Sequence, residues 1–253
     1  IGEDLHMKVT AVYFSPTGNT KKSVEAMAGA LDPNFTVIDV TAPEQASVER
    51  EFSSEELVIF GMPVYMGRIP AAAAPRLQGL KGNHTPCILA ATYGNRHYDD
   101  ALAEMAGIAE RNGFLIQGAA ALVGRHTYGE IQVGRPDEAD LEADRAFARK
   151  AAENKKMQSE IPGKYPEGEA APGGHYKPLT SSACIQCGIC RKGCPVGAIG
   201  DDFQVDPERC ISCFRCIRNC PVHAKNMDTP EYREFAEMFT EKLSKRRENE
   251  YFL

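Results

Sequence analysis

Short runs of apolar residues recur through the first half of the chain, at Val9 to Phe14, Phe35 to Val40, Leu57 to Phe60, Cys87 to Ala91 and Phe114 to Leu122, with helix-like stretches between them. Runs of this length separated in this way predict a five-stranded parallel sheet with helices on both faces, an α/β architecture. Val24, Met27, Ala28 and Leu31 fall at i, i+3, i+4 and i+7, one helical face that can cover the sheet; Leu102, Met105, Ala106 and Ala109 repeat the pattern. A last helix of this half opens at Pro136, Asp137 and Glu138 and ends near Lys155 and Lys156, with charges that suit the helix dipole at both ends. From Ile161 to Pro178 four prolines and four glycines leave little to bury, so the segment reads as a linker. Thr229 and Pro230 start a final helix with Tyr232, Phe235, Ala236, Phe239 and Leu243 on one face. That face docks a second domain on the first, or meets a second copy of the chain in a homodimer. The expected organisation is 1–6, a remnant of an expression vector; 7–160, the α/β domain; 161–178, the linker; 179–228, a small α+β domain; and 229–253, the C-terminal helix and tail.

Composition narrows the function. The 253 residues are 43% hydrophobic and 25% charged, and 29 basic against 35 acidic residues leave a net charge of -6, with no basic footprint for nucleic acid. No apolar run approaches the roughly 20 residues that cross a bilayer. Eight of the nine cysteines crowd between Cys184 and Cys220. In a reducing compartment, here read as the cytoplasm, such cysteines hold metal. Seven basic residues face four acidic ones from Gly173 to Lys225, an excess that offsets anionic clusters or helps dock an acidic partner.

Cys184, Cys187, Cys190 and Cys194 followed by Pro195 have the spacing C-x2-C-x2-C-x3-C-P, and Cys210, Cys213, Cys216 and Cys220 followed by Pro221 repeat it. A short loop aims three thiolates at corners of an iron-sulfur cube while the fourth reaches a second cube, so the repeat implies two [4Fe-4S] clusters. Zinc and a disulfide framework are the alternatives, and neither needs eight cysteines in this doubled, proline-terminated spacing. The segment closely resembles the bacterial dicluster ferredoxins. The resemblance implies Cys184, Cys187, Cys190 and Cys220 on one cluster, and Cys194, Cys210, Cys213 and Cys216 on the other. Cys87, alone in an apolar run, reads as a small buried hydrophobe.

After the first strand, Ser15-Pro16-Thr17-Gly18-Asn19-Thr20 gathers hydroxyls and a glycine at a helix start, which suits either a phosphomonoester or a plain capped turn. Two more loops leave the third and fourth strands, Pro63-Val64-Tyr65-Met66-Gly67-Arg68 and Thr92-Tyr93-Gly94-Asn95-Arg96-His97-Tyr98. Together the three loops resemble flavodoxin over nearly all of residues 7–160. That resemblance implies FMN, with Ser15, Thr17, Gly18, Asn19 and Thr20 on the phosphate and Pro63, Val64, Tyr65, Met66 and Gly67 along one face of the ring. It further implies Tyr98 stacked on the other face and Thr92, Tyr93, Gly94 and Asn95 at the ring edge. The chain has no tryptophan to cover the ring, so the flavin is expected to be more open than in many flavodoxins. The polar loop Gly124 to Gly129, after the fifth strand, edges the flavin site or meets a partner.

The whole chain resembles the bacterial flavodoxin-ferredoxin fusion proteins. Clusters exchange single electrons and a flavin takes one or two, so the resemblance implies a relay between FMN and the clusters, with protein redox partners as donor and acceptor and no acid, base or nucleophile. An FMN-dependent reductase of a small molecule and a non-redox partner-binding scaffold are the competing functions. Oxygen-sensitive clusters point to an anaerobic host.

Overall fold

The computed structural model describes residues 7–45, 47–171 and 173–253. Ile1 to His6, read above as a vector remnant, and Pro172 of the linker lie outside them.

In chain order the elements are β1 (Lys8–Tyr13), α1 (Asn19–Leu31), β2 (Thr36–Asp39), β3 (Arg50–Phe52), β4 (Glu56–Pro63), β5 (Leu80–Gly82), β6 (Thr85–Tyr93), α2 (Ala101–Arg111), β7 (Phe114–Val123) and α3 (Glu138–Glu153). After the linker come β8 (Leu179–Thr180), α4 (Ile189–Lys192), α5 (Arg215–Arg218), β9 (Lys225–Asn226), α6 (Pro230–Lys242) and β10 (Glu250–Phe252). The main sheet has the order β10-β7-β6-β4-β1-β2. Its five strands from the first half run parallel, as their unbroken apolar character predicts.

Successive side chains along each strand go to opposite faces. Val9, Ala11 and Tyr13 meet Val24, Met27 and Ala28 of α1 and Phe147, Ala148 and Ala151 of α3. Val12 and Phe14 share the other layer with Leu102, Met105, Ala106 and Ala109 of α2. Cys87 is buried in that layer, and burial raises its thiol pKa, so it behaves as a small hydrophobe. Helix α3 is closed at its start by a reciprocal cap: Asp137 accepts from the Asp140 amide, and Asp140 accepts from the Asp137 amide.

The sheet has a sixth strand that the apolar runs do not announce. β10 pairs antiparallel with β7, with Tyr251 opposite Ala120. The Tyr251 hydroxyl donates to the buried Asp144 carboxylate at 2.8 Å, and Asn249 donates to the same oxygen at 3.2 Å.

The segment from Gly173 to Asn226 folds as two copies of one loop. Gln186 and Ser212, Gly188 and Phe214, and Gly197 and His223 occupy equivalent places, and all six have positive φ. Helices α4 and α5 follow Gly188 and Phe214 at the same spacing, and β8 pairs with β9 much as Val205 bridges to Ile199. At one of these places a glycine adopts φ 79° without strain, while Phe214 adopts φ 57°. Its ring explains the exception, lying 5.2 Å from Tyr128 and 5.8 Å from Tyr232.

The cluster segment packs on the C-terminal ends of the parallel strands. Ile211 and Cys213 belong to the same apolar core as α2, alongside Val64 and Tyr65. Arg76 is buried and donates to the carbonyls of Val40 and Thr41 at 2.7 Å and of Pro195 at 2.5 Å. The final helix is capped by Thr229, whose hydroxyl accepts from the Tyr232 amide. Its aromatic face joins both parts: Tyr232 and Phe235 meet Tyr128 and Tyr176, and Phe239 meets His126.

Candidate cofactor sites

Each cysteine set faces its own small cavity. Cys184, Cys187, Cys190 and Cys220 line one, and Cys194, Cys210, Cys213 and Cys216 line the other. This is the crossed grouping, in which the last cysteine of each run joins the first three of the other. Four thiols around each cavity are the donor set of a [4Fe-4S] cube.

The surroundings supply what anionic clusters require. The Ala198 amide donates to Cys194 Sγ and the Ala224 amide to Cys220 Sγ, both at 3.2 Å and at equivalent places in the repeat. Burial pushes the Cys213 and Cys216 thiols up to about 12, so these sulfurs are held as thiolates only where iron compensates their charge.

The two sets differ in setting. Cys187 is exposed, and Ile185, Ile189 and Val222 stand open to solvent around its set. Cys213, 7% exposed, is pressed into the core beside Tyr65. Burial raises the Tyr65 phenol well above its ordinary range, with Cys213 the next contributor.

At the ends of the parallel strands a pocket is lined by Ser15, Thr17, Asn19, Thr20, Pro63, Val64, Tyr65, Thr92, Tyr93 and Gly94, all named above for FMN. Gly18, with φ 90°, opens the 13-residue α1 and has no side chain to cap it, which leaves the Asn19 and Thr20 amides for an anion. The Ser15 hydroxyl accepts from the Lys21 amide at 3.0 Å, which fixes the loop. Among the described residues the Thr92 and Tyr93 hydroxyls are buried with no partner. These orphaned groups and the open helix start fit a polar, phosphate-bearing ligand. The enclosed space is only about 50 Å3, so the loops must part to admit a whole FMN.

The structure does not bring two of the expected ring residues, Tyr98 and Asn95, to the pocket lining. Tyr98 does not present a free face for stacking: it is 4% exposed, packs against Tyr93, is covered by the His97 ring at 4.7 Å, and donates to Glu250 at 2.9 Å. Asn95 is turned away from the ring edge. Its amide donates to the Leu243 and Lys245 carbonyls at 2.8 Å, and its oxygen accepts from the Arg247 amide. Both side chains serve the C-terminal tail, whose partners lie some 150 positions along the chain. Met66 is exposed, and Gly67 lies against Asp99, its carbonyl accepting from the Asp100 amide; neither lines the pocket.

The pocket is also lined by Pro16 of the first loop and by Gly124, Arg125, His126 and Thr127 of the loop after β7 that was expected to edge the flavin site or meet a partner. A Cβ on Gly94 would fall 2.2 Å from the His126 ring, so that ring closes the Gly94 side and must turn aside for a flavin. Burial pushes the His126 imidazole down to about 4, which leaves it neutral near pH 7. The glycine-flanked, polar character of this loop was the one signal in the sequence. From the cluster segment Arg215 donates to the Pro16 carbonyl at 2.8 Å and Arg218 to the His126 carbonyl at 3.1 Å. The second cysteine loop therefore touches two of the loops that form the pocket.

Family models match in three places: a flavodoxin domain at residues 11–75, and 4Fe-4S binding domains at residues 179–200 and 203–224. No curated protein matches the chain. Similar solved structures include a flavoprotein from Bacteroides uniformis (16% identity, 57% of this chain and 99% of that one, TM-score 0.40) and flavodoxin 2 from Bacillus cereus (19%, 58% and 98%, 0.40). A Streptococcus flavodoxin is similar at 18% identity, over 57% of this chain and 97% of its own, with a TM-score of 0.39. Among the described residues no helix is long and apolar enough to cross a membrane. A flavodoxin domain followed by two 4Fe-4S binding domains implies FMN and two [4Fe-4S] clusters, the parts of an FMN and iron-sulfur electron-transfer protein.

Proposed function

We propose that the chain is an internal relay: electrons from a protein donor enter at the cluster held by Cys184, Cys187, Cys190 and Cys220, pass to the cluster held by Cys194, Cys210, Cys213 and Cys216, and exchange with FMN. The observation that carries this reading is the pair of hydrogen bonds from Arg215 to the Pro16 carbonyl and from Arg218 to the His126 carbonyl, which set the second cysteine loop against two loops of the flavin pocket. The exposed surroundings of Cys187 support entry at the first set. When bound, FMN supplies one- and two-electron chemistry, which single-electron clusters lack.

The residues of this chain bind and insulate. Ser15, Thr17, Gly18, Asn19 and Thr20 hold the phosphate; Pro63, Val64, Tyr65, Thr92, Tyr93 and Gly94 hold the ring. Arg76, Arg215 and Arg218 fix the cluster segment against those loops by donating to backbone carbonyls. Titration of anaerobically prepared protein with a chemical reductant, followed by visible absorption and electron paramagnetic resonance, tests the relay. About eight irons and one FMN per chain, with flavin and clusters equilibrating, are expected. A flavin that stays oxidised while the clusters are fully reduced defeats the reading.

A second reading, reduction of a small molecule at the flavin, is favoured by one observation. A cavity of about 790 Å3, lined by Phe214, Ile217, Arg218 and Tyr232, shares Arg125 and Thr127 with the flavin pocket. Were this the function, Glu237→Trp, which fills the cavity from its exposed rim, would slow turnover with small acceptors and leave transfer to a protein acceptor intact.

A further inference from the structure

The two cysteine loops repeat each other in backbone but not in charge. Cys194-Pro195-Val196-Gly197-Ala198-Ile199 stands against Cys220-Pro221-Val222-His223-Ala224-Lys225. Five residues past each closing cysteine the first loop has Ile199 and the second Lys225. Ile199 lines the cavity of Cys194, Cys210, Cys213 and Cys216; Lys225 lines that of Cys184, Cys187, Cys190 and Cys220.

Lys225 is 2% exposed. Its ammonium donates to the Thr180 hydroxyl at 2.6 Å and to the Phe203 carbonyl at 2.5 Å, both neutral acceptors, and among the described residues it has no carboxylate partner. A buried cation answered only by neutral groups is costly. An anion against it removes that cost, and a cube ligated by four thiolates is a net anion that gains one more negative charge on reduction.

We propose that Lys225 is a built-in counter-charge for the cluster held by Cys184, Cys187, Cys190 and Cys220, raising its reduction potential and making the two clusters inequivalent. This rests on the ligand reading above. A nearby fixed cation stabilises the reduced, more negative form over the oxidised one, and the effect is strong where water is excluded. Ile199 supplies no such charge at the matching place. The other set has cations of its own, Arg215 on its cavity and Lys177 donating to the Cys210 carbonyl, and the Lys225 charge also reaches Cys210 and Cys216. Lys225 therefore shifts the gap between the clusters without alone fixing their order.

Redox titration of the full chain with both clusters and FMN, followed by electron paramagnetic resonance, gives a midpoint for each cluster in native protein and in Lys225→Met. The native iron count comes first: fewer than about eight irons per chain defeats the ligand reading and this proposal with it. With eight irons present, the expected result for Lys225→Met is a shift of one midpoint to more negative values, larger than any shift of the other. Unchanged midpoints, or equal shifts of both, overturn the proposal and leave the ligand reading standing. Should Lys225→Met lose iron, Lys225→Arg decides. Retained clusters with near-native midpoints support a required charge; loss of iron in both variants assigns Lys225 to packing and overturns it.

Discussion

The first cysteine loop and the second trace nearly the same path, with the same three positive-φ positions, the same short helix and the same amide-to-sulfur contact after the closing cysteine. What differs is the company each keeps. One carries Gly188 where the other carries Phe214, and one is ringed by exposed Ile185, Ile189 and Val222 while the other is buried beside Tyr65. A duplicated ligand frame acquires two settings through the side chains around it, with the frame itself unchanged.

The widest contrast, between the sheet with its own core and a cysteine segment with little, is broken most severely by removing iron. In chelated protein the amides of 179–226 should lose hydrogen-exchange protection, while those of β1, β4, β6 and β7 keep it. Retained protection across the cysteine loops would show that the segment folds on its own packing. Next in size is the contrast between the loops. Phe214→Ala removes a buried ring at the join, with an expected cost of about 3 kcal/mol in denaturant unfolding, whereas Ile189→Ala, on the exposed loop, should change stability by less than about 0.5 kcal/mol. Equal effects would erase the distinction between a docked and a free loop.

A smaller effect concerns the seam between the sheet and its last strand. Asp144 has its carboxyl raised to about 6, by burial first and then by Asp140, with hydrogen bonds from Tyr251, Ser23 and Asn249 acting the other way. Its pKa is higher folded than unfolded, so the folded chain binds the extra proton. The associated stability is present below about pH 4 and is lost as pH rises through about 6. Asp144→Asn should therefore stabilise the protein by roughly 1 to 2 kcal/mol above pH 7 and by little at pH 4. A difference in melting temperature that ignores pH between 4 and 8 would contradict this.

The sheet was legible because its strands are apolar on both faces, and the cysteine sets because metal chemistry fixes their spacing. β10 was not, because Glu250-Tyr251-Phe252 follows a highly charged stretch and pairs only where β7 offers an open edge. The flavodoxin resemblance places Tyr98 and Asn95 at the ring. Their partners, Glu250 and the 243–247 backbone, are far along the chain, and local pattern carries no sign of them. His126 stood in a loop marked only by polarity and glycines, and its approach to Gly94 is a matter of tertiary fit. Lys225 could have been found by laying the two repeats side by side, because a lysine replaces an isoleucine at a matching position.

The pairing of β10 with β7 also bears on the order of events at the ribosome. β7 is complete before either cysteine loop has been synthesised, and the strand that covers its open side is made only after both. Throughout that interval a flat apolar margin stands bare, the kind of edge that recruits other chains. Closure of the sheet therefore waits on synthesis of the whole cysteine segment, so an edge of the first half depends on the last strand of the chain.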